Sequence, residues 1–85
     1  MPRFVWEPSA RAALRRIPRS QARQILLALS QYADSEQGNV AALKGAPIGR
    51  LRLRSGDYRV IFRRSGTDEY QILKVGHRRE IYRED

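Results

Sequence analysis

Cysteine is absent from this 85-residue chain, histidine occurs once, and 9 acids face 17 bases. Without cysteine there is no disulfide, no thiol nucleophile and no thiolate metal site. A single histidine among scattered acids cannot build a zinc site, so neither a metal nor another cofactor is expected. Long apolar runs are missing too. The longest, Ile25 to Leu29, is far short of the roughly 20 residues that span a bilayer, and Met1 to Ser9 lacks the apolar centre of a secretion signal. A cytoplasmic chain without membrane attachment is therefore the expectation. No repeat, low-complexity tract or linker divides it, so residues 1–85 read as one domain. At this size only about 60% of the unfolded surface is buried, and no covalent staple is encoded to help.

What is present in excess is arginine. The formal net charge is +8, which attracts polyanions, with nucleic acid first, a membrane surface second and a merely soluble basic protein as the plain alternative. Fifteen of the 17 cations are Arg, and six of them fall between Arg50 and Arg64 against one acid, Asp57. Arg50, Arg52 and Arg54 alternate with Leu51 and Leu53. In a strand this spacing sends the leucines to a core and lines the three guanidiniums along the other face. Each guanidinium stays charged at any working pH and matches phosphate oxygens with paired donors.

Periodicity supplies the frame for that ridge. Arg3 to Glu7 alternates as a short strand. Pro8 suits the first turn of a helix that carries Ala10, Ala13, Leu14 and Ile17 at helical spacing before Pro18. A second helix, about Arg19 to Asp34, has an apolar stripe of Ala22, Ile25, Leu26, Leu29 and Tyr32. Gln37-Gly38-Asn39 ends this unit, and Val40 to Lys44 reads as a brief helical turn. After Pro47 the period becomes that of strands: Ile48 to Arg54, Tyr58 to Arg64 and Tyr70 to Val75, joined by turn-rich links. Two amphipathic helices then cover one face of an antiparallel sheet. Tyr58, Val60 and Phe62 point to that core, which sends Arg59, Ile61 and Arg63 to the open face beside the ridge. Trp6 and Tyr32 read as core residues.

The order strand, two helices, three-stranded meander resembles the RelE/ParE toxin superfamily of bacterial toxin–antitoxin modules over essentially the whole chain. Ala42-Leu43-Lys44-Gly45, the stretch Gly49 to Phe62 with its Asp57-Tyr58-Arg59-Val60, and Val75-Gly76-His77-Arg78-Arg79-Glu80-Ile81-Tyr82 carry the likeness; the last is similar to the RelE branch. The resemblance implies an α+β, RelE-like fold and a metal-independent endoribonuclease that cuts mRNA in the ribosomal A site. There the ribose 2′-OH attacks the adjacent phosphorus. By position it implies Arg59 as stabiliser of the phosphorane-like transition state, Arg78 as second clamp or helper of the leaving group, and Tyr82 stacking on the flipped nucleotide. Arg50, Arg54, Lys44, Arg63 and Arg79 would contact RNA or the ribosome. It also implies a cognate antitoxin, whose acidic amphipathic segment would neutralise the ridge in a hetero-oligomer, the free toxin being monomeric.

Arg50 and Arg52 stand where the RelE branch carries lysines, one of them the base. Arginine, which stays charged at any working pH, accepts a proton poorly. Arg52 keeps that place in the site, and His77, the one side-chain type here that ordinarily titrates near neutrality, is the alternative base or acid. Plainer readings stand beside each assignment: a solvated sheet face for the ridge, an Arg54–Asp57 pair, a solvated His77, a Tyr82 that only packs the tail, and a wet face for Arg11, Arg15 and Arg16. Two rival functions stand as well, a ParE-like inhibitor of DNA gyrase and an RNA-binding module without catalysis.

Overall fold

The computed structural model describes residues 2–45 and 47–81. In chain order it contains β1 (Arg3–Trp6), α1 (Pro8–Arg16), α2 (Arg19–Ser35), β2 (Val40–Ala42), β3 (Arg50–Ser55), β4 (Tyr58–Gly66) and β5 (Glu69–His77). The strands form one sheet in the order β1-β5-β4-β3-β2. From β2 to β5 all pairing is antiparallel, as expected of a meander; β1 joins the far edge parallel to β5, so the sheet is mixed. The α+β class and the helix-covered face follow the sequence reading.

Local chemistry explains the elements. Pro8 opens α1, where its missing N–H costs nothing. α2 ends where Glu36 turns left-handed at φ 58° and its N–H reaches the Tyr32 carbonyl. Gly56, at φ +59°, turns β3 into β4 in a conformation that glycine adopts freely. The helices bury Ala10, Ile25 and Leu29 against Leu53, Val60, Phe62, Tyr70, Ile72 and Val75, with Phe4, Trp6, Tyr32 and Leu51 packed around them. Tyr32 meets Phe62 edge-on at 5.6 Å between ring centroids, and Phe4 stacks on Tyr70 at 5.8 Å.

Three details differ from the periodicity. Val40 to Ala42 is a strand, not a helical turn. It pairs with the edge of β3 and gives those backbone groups partners, a gain that a single isolated turn cannot match. Leu26 leaves the core stripe and is 46% exposed, because the buried face of α2 runs through Ile25, Ala28, Leu29, Tyr32 and Ala33. Ile72 and Val75 are three apart yet both buried. A bulge between the pairs Ile61↔Lys74 and Phe62↔Ile72 adds a residue to β5 and restores its inward face. Among the described residues no helix is long and apolar enough to cross a membrane.

Candidate functional site: an arginine cleft

Residues directly opposite in an antiparallel pair share a face, so the register of β3 and β4 gathers the cations. Arg54 faces Arg59, Arg52 faces Ile61, and Arg50 faces Arg63. Like charges in that relation ordinarily destabilise a sheet. Here one of each pair has been drawn aside. Arg59, only 6% exposed, folds over the β3–β4 turn and donates from Nη1 to the carbonyl oxygens of Gly56 (2.8 Å) and Tyr58 (2.9 Å). On its other side the β5 partner is Gly76, which has no side chain to cover it.

The segment after β5 completes the arrangement. Arg78 donates its backbone N–H to the Asp57 carbonyl at 2.7 Å, and its Nε lies 3.6 Å from the Asp57 carboxylate. The one acid of the arginine-rich stretch therefore pairs with Arg78, not with Arg54. Ile81 is 2% exposed and anchors the turn. The result is an open cleft of about 400 Å³ lined by Arg52, Arg54, Arg59, Arg78 and Arg79. The Arg52 Nε is buried and has no acceptor among the described residues. A desolvated cationic donor left in that state is costly, and an anion entering the cleft would relieve it. Five guanidiniums can hold a phosphate and stabilise extra charge on it, but none can accept a proton near neutrality.

Five of the expected residues thus meet, and four others among the described residues lie elsewhere. Arg63 donates from Nε to Gln71 (2.9 Å), which donates to Glu7 (2.8 Å), so it belongs to a polar chain farther along the open face. Arg50 sits opposite Arg63 at that same end of β3, and Lys44 is exposed in the loop between β2 and β3. His77 lines a separate cleft of about 370 Å³ between α1 and β5, with Arg16, Tyr58, Lys74 and Glu80 on its walls. Its ring meets Tyr58 edge-on at 5.7 Å, and its Nδ1 accepts the Arg79 backbone N–H at 3.1 Å. Tyr82 lies outside the described residues.

The sequence reading missed the anchoring task of Asp57, although its isolation among arginines was a signal. It also placed no structural duty on Arg64. That guanidinium lies on the helix side, donating to the Tyr70 hydroxyl at 3.0 Å, sitting 5.5 Å from the Tyr70 ring centroid and 3.8 Å from the Glu36 carboxylate. The bond to Tyr70, then the charge on that phenol, holds Arg64 above its usual value.

A family model described as the ParE toxin of the type II toxin–antitoxin system, parDE, matches residues 4–82. No curated protein matches the chain. Among solved structures the chain is similar to the RelE–RelB complex from Pyrococcus horikoshii OT3, with 27% identity, TM-score 0.71, and 93% of this chain and 97% of that one covered. It is similar also to the RelB–RelE antitoxin–toxin complex from Methanococcus jannaschii (21%, TM-score 0.73, 92% and 94%). The toxin–antitoxin complex RelBE2 from Mycobacterium tuberculosis is a third (21%, TM-score 0.74, 91% and 99%).

Proposed function

The chain belongs to the ParE toxin family of type II toxin–antitoxin systems, within the RelE/ParE superfamily, and from that premise we propose that it cleaves mRNA in the ribosomal A site. The observation that carries this reading is the cleft of five arginines, which suits a phosphodiester and its transition state. The 2′-oxygen bonds to phosphorus, the bond from phosphorus to the 5′-oxygen breaks, and a cyclic phosphate and a free 5′-hydroxyl result. Arg59, fixed by two carbonyls, and Arg78, fixed by Asp57, stabilise the charge that builds on the phosphoryl oxygens. Arg52 contributes a donor already stripped of water. Arg54 and Arg79 hold flanking phosphates, with Arg50, Arg63 and Lys44 reaching further along RNA or ribosome, and Tyr82 stacks on the displaced base.

Proton transfer is the weak part of this chemistry. The lining groups donate and do not accept, so the 2′-OH proton passes to solvent, solvent returns one to the leaving 5′-oxygen, and the site works by charge stabilisation and positioning. The partner is an antitoxin whose acidic segment fills the cleft. Solved structures of similar chains are complexes with one. The cell compartment that fits ribosome action is the cytoplasm.

The family model favours a second reading, inhibition of DNA gyrase without nuclease activity, because it describes ParE toxins. Purified protein mixed with programmed ribosomes, with mRNA ends mapped, and the same protein in a gyrase supercoiling assay separate the two. Cuts within the A-site codon are expected; intact mRNA together with blocked supercoiling would replace the ribonuclease reading with the gyrase one.

A further inference from the structure

His77 sits outside the arginine cleft, yet it holds the segment that supplies two of the cleft's five cations. Its Nδ1 accepts the Arg79 N–H at 3.1 Å, and its carbonyl accepts the N–H groups of Glu80 and Ile81, each at 2.9 Å. With Arg78 bound to the Asp57 carbonyl, every amide from 78 to 81 has a partner. The ring itself is fixed edge-on against Tyr58 at an interplanar angle of 82°. A nitrogen that accepts carries no proton, so this geometry requires the neutral ring protonated on Nε2.

Resting on the reading of the arginine cleft as a phosphodiester site, we propose that His77 is its positioning residue: the neutral ring fixes the Arg79 amide in the turn after β5, and protonation releases that amide. An imidazolium has donors at both nitrogens. Its Nδ1–H would confront the Arg79 N–H, replacing a bond by a repulsion, while the bonds to the His77 carbonyl and to Asp57 remain. Arg79 then loses the contact that fixes its backbone beside the cleft. The charged and titratable groups that line the same cleft as the ring are Arg16 of α1, Tyr58 of β4, Lys74 of β5 and Glu80 of the tail. The consequence runs against simple electrostatics. Acidification adds a positive charge, which by itself strengthens polyanion binding, whereas loss of the positioning bond weakens it.

The test uses a 2′-O-methyl hexaribonucleotide, which binds but cannot be cut, at constant ionic strength at a mildly acidic and a mildly alkaline pH. Wild-type affinity should fall roughly 2- to 10-fold on acidification, the fold-change of one ordinary hydrogen bond. His77→Asn places a non-titrating oxygen near Nδ1 and should bind as wild type does at high pH, with the pH dependence gone. His77→Leu should bind weakly at both pH values. Affinity that holds or rises on acidification, or a His77→Leu variant equal to wild type at high pH, overturns the proposal. Ring 15N shifts give a second reading that needs no RNA. The Nε2–H tautomer is expected at high pH, and the Nδ1–H tautomer would overturn the positioning contact. If Arg59→Ala and Arg78→Ala both leave oligonucleotide affinity unchanged, the cleft reading fails by itself, and the ring spectra still decide the contact.

Discussion

The two faces of this sheet are built from alternate residues of the same strands and are governed by opposite rules. On β3 and β4 the helix side receives Leu51, Leu53, Val60 and Phe62, while the other side receives Arg50, Arg52, Arg54, Arg59 and Arg63. Charge on the first face is tolerated only with partners, as Arg64 shows with Tyr70 and Glu36. On the second face cations lie across from cations, and one buried donor has no acceptor among the described residues. The difference teaches a division of labour at single-residue spacing. One face supplies stability, and the other spends some of it to hold arginines together around an open cleft.

The comparison can be broken by substitutions that cross it. Phe62→Ala, on the buried face, should cost about 3–5 kcal/mol by urea unfolding; a loss below about 1 kcal/mol would show that the helix face does not carry the fold. Arg59→Ala and Arg78→Ala should each slow cleavage of ribosome-bound mRNA about 10²- to 10³-fold. Arg78→Ala should do so with little change in melting temperature, since its side chain is half exposed. Parental rates for both variants would remove them from the site.

Smaller effects sharpen the boundary. The log of the parental cleavage rate should climb with pH without a plateau near neutrality, and Arg52→Lys should introduce a plateau and raise the rate at least about tenfold, because lysine can deprotonate. A plateau already present in the parent would reveal a base the cleft lacks. Arg50→Ala should lower the slope of log affinity against log salt by about 1, the mark of one lost phosphate contact; an unchanged slope would remove Arg50 from the RNA path. On the helix side, burial first, then Glu36 and Tyr70, raise the Tyr32 phenol above its ordinary 10.0, with Arg64 opposing. The folded state holds that proton more tightly than the unfolded chain. Its contribution is complete below the ordinary value and is lost as pH rises through the raised one. Tyr32→Phe should therefore flatten the fall of melting temperature above pH 10, and an identical fall would show that the phenol is not responsible.

Much of this division was legible in the sequence because period two is unambiguous where charged and apolar residues alternate. Leu51 and Leu53 between arginines, and Val60 and Phe62 after Arg59, state their faces directly. The gathering of Arg52, Arg54 and Arg59 follows from that register. The capture of Arg78 by Asp57 does not, because it depends on how the chain turns after β5. His77 was misleading for the same reason. Its chemistry suggested proton transfer, but its position on β5 points the ring toward Tyr58 and α1. The bulge in β5 and the pairing of Val40 to Ala42 with β3 were hidden because both answer a need of the neighbouring strand, which local sequence does not display.

The place of β5 in the sheet has a consequence for synthesis. It follows the other strands in the sequence, yet it lies between β1 and β4 and supplies Tyr70, Ile72 and Val75 to the core. Until it emerges, β1 has no partner strand, and Phe4 and Trp6 have no Tyr70 or Ile72 beside them. Contacts of such long sequence separation form late. A nascent or prematurely terminated chain therefore carries all the arginines of β3 and β4 without the scaffold that aims them, and the cleft is not finished while most of the chain is still being translated.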